Sequence, residues 1–143
     1  CSHGRLREKV MTRSYAGIAH GLLRIVAGLL FLFHGTVKIF GFPPGAQPGV
    51  QEPFSLTGVG GAIELVAGTL IMIGLFSRTA AFIASGEMAV AYWMFHAPQG
   101  LYPVANMGDG AILYCFIFLF IAAAGPGAWS VDGLRSGRAN GAA

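Results

Sequence analysis

Several ionisable residues stand inside or at the edges of otherwise apolar stretches, among them Arg24, His34, Lys38, Glu64, Glu87, His96 and Asp109. An ionisable group at the centre of a membrane helix costs roughly 2.5 to 3.5 kcal/mol on insertion scales, so each is expected to face a protein interior and to find a partner. His34 and Lys38 are four residues apart and share one helix face. Arg24 precedes Lys38 by fourteen residues and falls on nearly the same stripe. Glu64 shares a stripe with Gly61 and Gly68. These spacings, with the depths below, group His34, Lys38, Glu64 and Asp109 as a candidate polar pocket and Arg24 with Glu87 as a candidate buried ion pair. His96 falls at a segment boundary and reads as an interfacial loop cap.

The chemistry open to such residues is narrow. Carboxylates in a polar pocket can relay protons, and the pocket suits a small amphipathic molecule such as a quinone. The same residues can instead lock helix register without binding anything. No metal site is readable, because His34 and His96 are far apart and there is no HExxH or cysteine cluster. Cys1 and Cys115 form neither a CxxC nor a disulfide framework, and Cys115 reads as an inert core thiol within an apolar helix. No haem, flavin or iron–sulfur ligand set is present, so electrons would need a quinone or a partner subunit.

The elements that must position these residues are membrane helices. The 143 residues suffice for one domain, and only 10% are charged against 55% hydrophobic, with a mean hydropathy of +0.65. A soluble domain carries about 25% charged residues. Four apolar segments of near-spanning length follow one another: Ile18 to Phe40, Leu56 to Phe76, Thr79 to Phe95 and Val104 to Ala124. A bilayer-crossing helix needs about 20 residues. The Pro- and Gly-rich stretch Gly41 to Ser55 and the segment Ala97 to Pro103 must leave the hydrocarbon. Phe76-Ser77-Arg78 makes a tight hairpin turn. Gly125-Pro126-Gly127 stops the last helix, and Trp129 takes the place of an interfacial anchor. Gly21, Gly28 and Gly35 repeat every seven residues, as do Gly61 and Gly68; small residues so spaced let helices approach closely in lipid. The sequence therefore predicts an all-α membrane four-helix bundle over residues 16–132. A basic segment, residues 1–15, precedes it and a flexible tail, residues 133–143, follows. Cys1 is not a start residue and Met11 reads as a natural one, which leaves open whether residues 1–10 are native.

Orientation follows from the basic residues. Arg5, Arg7, Lys9 and Arg13 precede the first helix, Arg78 marks the middle turn, and Arg135 and Arg138 follow the last helix. The other two loops carry no Lys or Arg. The positive-inside rule then places both termini in the cytoplasm, in a multi-pass protein of the cell membrane. His34, Lys38, Glu64 and Asp109 fall in the outer half, Arg24 in the inner half and Glu87 near the middle. The net charge of +3 is spread over chain ends and a turn, which argues against a nucleic-acid surface. The expected partners are the lipid bilayer and redox-enzyme partner subunits; a homo-oligomer is compatible with the sequence.

The residues resemble the DoxX family of small four-helix membrane proteins. The similarity covers roughly Ala16 to Asp132. It is carried by Arg24, by His34-Gly35-Thr36-Val37-Lys38-Ile39-Phe40-Gly41, by Gly61-Ala62-Ile63-Glu64 with Gly68, and by Gly74-Leu75-Phe76-Ser77-Arg78. His96 with Gly100, Asn106-Met107-Gly108-Asp109 and Gly125-Pro126-Gly127-Ala128-Trp129-Ser130-Val131-Asp132 complete it. Asp109 stands where the family commonly has Glu, and Ala128 where a basic residue is common. The resemblance implies a link to membrane oxidoreductase systems. Some members resemble a subunit of a thiosulfate:quinone oxidoreductase; others are tied to assemblies with superoxide dismutase and sulfurtransferase partners. The expected function is a subunit of a quinone-linked system in sulfur or oxidative-stress metabolism. The alternatives are a non-catalytic scaffold or assembly factor and, last, a small transporter.

Overall fold

The computed structural model describes the backbone of residues 2–141 and the side chains of residues 15–137. The side chains of Arg5, Arg7, Lys9, Arg13 and Arg138, and Cys1 entirely, lie outside the described residues. The described chain is all-helical: α1 Ser2–Phe40, α2 Leu56–Ile73, α3 Ser77–Ala91, α4 Pro103–Asn106, α5 Asp109–Ala124 and α6 Val131–Gly141. A single π turn, Tyr92–His96, and a 3-10 turn, Ala97–Gln99, extend α3.

Three boundaries differ from expectation. The basic N-terminal segment is continuous with the first apolar helix, because no proline separates them. At 1.5 Å per residue α1 is about 58 Å long, well beyond the ~30 Å of hydrocarbon, and its apolar section is Tyr15–Phe40. The segment from Val104 to Ala124 is two helices. Met107 adopts a left-handed φ of 58°, and Asn106 Oδ1 accepts the Gly108 amide at 2.8 Å, so the chain breaks before α5. The stretch expected as a flexible tail forms α6. Its start is capped by Ser130, whose Oγ accepts the Gly133 amide at 3.1 Å, a serine cap that the surrounding glycines mask in the sequence.

α2 begins at an N-cap, Ser55 Oγ accepting the Gly58 amide at 3.0 Å. It ends at Gly74, whose φ of 76° lets its N–H reach the Leu70 and Ile71 carbonyls. α1 packs chiefly on α2, α3 on α5 and α2 on α3, and α1 also touches α5. The α1–α2 contact is made backbone to backbone. A Cβ on Gly28 would lie 2.6 Å from Met72 N, one on Gly35 2.5 Å from Leu65 N, and one on Gly68 2.6 Å from Leu32 N. These are the glycines of the seven-residue repeats. The core between the helices holds Phe31, Ile71, Phe118 and Ile121 with Ala67, Ala80, Ala81 and Ala84. Phe31 meets Phe118 edge-on at 4.7 Å between centroids.

Polarity is inverted relative to a water-soluble bundle. Arg24 is 0% and Glu64 1% exposed, whereas Leu22 is 49%, Phe82 67% and Phe116 65% exposed. An apolar exterior of that extent calls for a nonpolar surrounding. Two helices, Tyr15–Phe40 and Leu56–Ile73, are long and apolar enough to cross a membrane; Asp109–Ala124 is apolar but shorter.

Candidate functional site

Several polar assemblies sit along the helices. The α2–α3 turn and the Gly125–Ser130 connection share one end of the molecule, the turn end. The Gly41–Ser55 and Ala97–Gly108 connections share the opposite end, the loop end.

Toward the loop end, Lys38 Nζ donates to Glu64 Oε1 at 2.7 Å. Lys38 lies in the last turn of α1, and its stem crosses α2 over Gly61, where a Cβ would stand 2.7 Å from Lys38 Cβ. The glycine stripe of α2 thus gives the lysine its path to the carboxylate. Glu87 approaches from α3: its Oε1 would meet a Cβ on Gly60 at 2.9 Å. The charged groups acting on Glu87 are Glu64 and Lys38. Glu64 Oε2 and Glu87 Oε2 are both buried, and neither has a hydrogen-bond partner among the described residues.

His34 and Asp109 make no hydrogen bond to that ion pair, although His34 lies close enough to act on Glu64 electrostatically. His34 is exposed, donates from Nδ1 to the Leu30 carbonyl at 2.9 Å and meets Tyr114 edge-on at 5.9 Å. Its ring borders a groove of about 520 Å³ lined by Leu30, Phe33, Val37, Phe42, Pro43 and Pro48, with Ala46 and Gln47 also on the loop side. The loop that was expected to leave the membrane thus folds back along α1. Asp109 is exposed in the first turn of α5, where a carboxylate favours the free amides of a helix start. Of the four residues grouped from the sequence, Lys38 and Glu64 close on each other, His34 lines the groove and Asp109 faces outward.

The expected Arg24–Glu87 pair does not form. Arg24 donates all five guanidinium N–H groups to backbone carbonyls. Nε reaches Pro126 O at 2.6 Å, Nη1 reaches Ile71 O and Met72 O at 2.8 and 2.6 Å, and Nη2 reaches Ala128 O and Trp129 O, both at 2.9 Å. Depth explains the difference. Arg24 sits level with Ile71 and Glu87 level with Gly60, eleven residues or about 16 Å apart along α2. The carbonyls ending α2 carry the negative pole of the helix dipole, and they serve as counter-charge in place of a carboxylate. Arg78 does the same for α5, donating to Ala122 O and Ala123 O at 3.0 and 2.6 Å.

Two further polar contacts were missed by sequence reasoning. Asp132 accepts from the amides of Phe76 and Ser77 and from the Ser77 hydroxyl, at 3.0, 2.9 and 3.0 Å, capping α3 from the far end of the chain. Burial pushes the Asp132 carboxyl up, but the Ser77 and Phe76 donors and nearby Arg135 outweigh it and hold it below the usual carboxylate range. The signal available was a lone Asp just past a Gly-Pro-Gly stop. Asn106, 2% exposed, donates to Gly100 O at 2.8 Å, and its own carbonyl accepts from His96 Nδ1 at 3.0 Å. His96 therefore ties the π turn to the break before α5, a local role at the loop end.

Comparison with known proteins follows the same residues. The family model described as DoxX matches residues 19–97. A protein of Haemophilus influenzae is 44% identical over 116 residues, covering 77% of this chain and 85% of the relative. A membrane protein of Mycobacterium tuberculosis is 29% identical over 133 residues, covering 82% and 81%. The inner membrane protein YqjF of Escherichia coli is 29% identical over 126 residues, covering 78% and 87%. No solved structure matches.

Proposed function

The chain belongs to the DoxX family and is an integral membrane protein, and from that premise we propose that it is the membrane subunit of a quinone-linked oxidoreductase system. In this reading α1, α2, α3 and α5 cross the membrane as a four-helix bundle. The turn end, which carries Arg78 and Arg135, lies in the cytoplasm of the cell together with both termini, by the positive-inside rule. The groove and the Lys38–Glu64 pair then sit in the outer half.

One observation supports a quinone: the groove beside His34. Its ~520 Å³ falls in the size range of small-molecule pockets, about 300 to 1,000 Å³, which are largely apolar with a few polar groups. Apolar walls suit an isoprenoid-bearing ring, and the free Nε2 of His34 is placed to meet a ring oxygen. No haem, flavin or iron–sulfur ligand set is readable in the sequence, and in this reading a partner subunit in sulfur or oxidative-stress metabolism delivers the electrons. The test is photo-crosslinking of an azido-quinone to the purified protein in nanodiscs. Labelling is expected at residues 30–48, suppressed by excess unlabelled quinone and reduced by His34→Ala. Labelling spread evenly over the lipid-facing helices would overturn the reading.

A second reading, a non-catalytic scaffold, draws on the closure of Lys38 on Glu64, which fits a register lock. Partner proteins that co-purify equally with wild type and with Lys38→Ala plus Glu64→Ala would favour it.

A further inference from the structure

We propose that Glu64 and Glu87 form a buried proton-binding site that holds one proton at neutral pH, on Glu87, with Glu64 ionised against Lys38. Charge counting in a low-dielectric interior carries the inference. Two carboxyl groups face one ammonium, and the groups turned toward them from each packed helix are His34 and Lys38 on α1, Glu64 on α2, Glu87 on α3 and Tyr114 on α5. His34 is committed through Nδ1 to Leu30 O and opens on the groove. The 2.7 Å contact allots the ammonium to Glu64. An ionised Glu87, half-buried with its Oε2 fully enclosed, would then be a charge without a counter-ion in a low-dielectric surrounding.

The hydrogen bonding points the same way. A carboxylate is an acceptor for several donors, yet Glu87 Oε2 and Glu64 Oε2 are buried and receive none among the described residues. A carboxylic acid at Glu87 carries an O–H donor of its own and no charge that lacks a partner. Glu87 is directed there by the sequence, since Gly60 leaves open the space that its Oε1 occupies against α2. The ligand is one proton, taken from water by the Glu87 carboxylate. The cluster is then neutral, with one cation, one anion and one acid across three helices. The site stands whether or not the groove takes a quinone.

Infrared difference spectroscopy of the full chain in nanodiscs at neutral pH, in H₂O and in D₂O, counts protonated carboxyls directly. Wild type should show the deuterium-sensitive C=O band of one acid. Glu87→Gln should lose it. Glu64→Gln should lose it too, because Glu87 then ionises to serve Lys38. Lys38→Met should show twofold intensity, since both carboxyls must then be protonated. Any variant that fails to fold leaves the other two to decide. No band, or two, in the wild type, or an unchanged band in Glu64→Gln, would overturn the assignment; quinone labelling of the groove is read separately and is unaffected by either result.

Discussion

Asp132 accepts two hydrogen bonds from Ser77, one from its amide and one from its hydroxyl, although 55 residues separate them. This contact makes the start of α3 depend on a residue beyond α5. Because the folded carboxyl lies below its usual range, its contribution is complete above the unfolded value of about 3.9 and is lost as pH falls through the folded value. Stability against thermal unfolding in detergent should therefore fall as the pH is lowered through that window. Asp132→Asn should flatten the acid limb. At neutral pH Asp132→Ala should cost roughly 0.5 to 2 kcal/mol, the range for a lost helix cap. An acid limb identical in wild type and Asp132→Asn would exclude the effect.

Arg24 is expected to be among the least replaceable residues. Arg24→Lys keeps the charge but has three donors in place of five; Ile71 O keeps the Gly74 amide, so at least one carbonyl is left unmet, at about 1 to 3 kcal/mol. Arg24→Met strips every donor and should not yield folded protein. Monodispersity and melting temperature after purification test both, and a Lys variant as stable as wild type would contradict the five-bond geometry.

Glycine substitutions should separate by position. Gly35→Ala and Gly68→Ala press a methyl group into the partner helix backbone and should each cost about 1 to 3 kcal/mol. Gly86→Ala meets nothing within 4 Å and should be neutral or up to about 1 kcal/mol stabilising from helix propensity. Equal effects at Gly35 and Gly86 would mean that α1 and α2 are not in backbone contact.

Removing one member of the Lys38–Glu64 pair should destabilise the fold by less than the about 3 to 5 kcal/mol of an uncompensated buried charge, because Glu87 or a proton takes the missing partner's place, and replacing both by Met should recover most of that loss. A double-mutant cycle of unfolding free energies measures the coupling. Additive losses would mean that the two groups do not interact in the folded protein.

The helical class and the glycine-faced contact were legible in the sequence because both rest on local pattern: long apolar runs and small residues at seven-residue spacing. Lys38 with Glu64 was legible for a related reason, since depth and helix face follow from residue counts. The partner of Arg24 was not. Counting seeks a carboxylate for every cation, and backbone carbonyls leave no mark in a sequence. Glu87 was misassigned in consequence, its position on α3 being compatible with either neighbour until the depth of α3 against Gly60 was seen. The break at Met107 and the helix after Ser130 were hidden because single side-chain caps, from Asn106 and Ser130, decide them.

The arginine cage also has a consequence for biogenesis. Three of the five acceptors of Arg24, on Pro126, Ala128 and Trp129, lie 102 to 105 residues downstream. While the chain is being translated, α1 enters the bilayer with a guanidinium that nothing yet synthesised can fully solvate. That cation is provisional until the final loop arrives and locks it. A chain terminated before Pro126 would keep its hydrophobic segments and still lack three of the five acceptors that solvate Arg24.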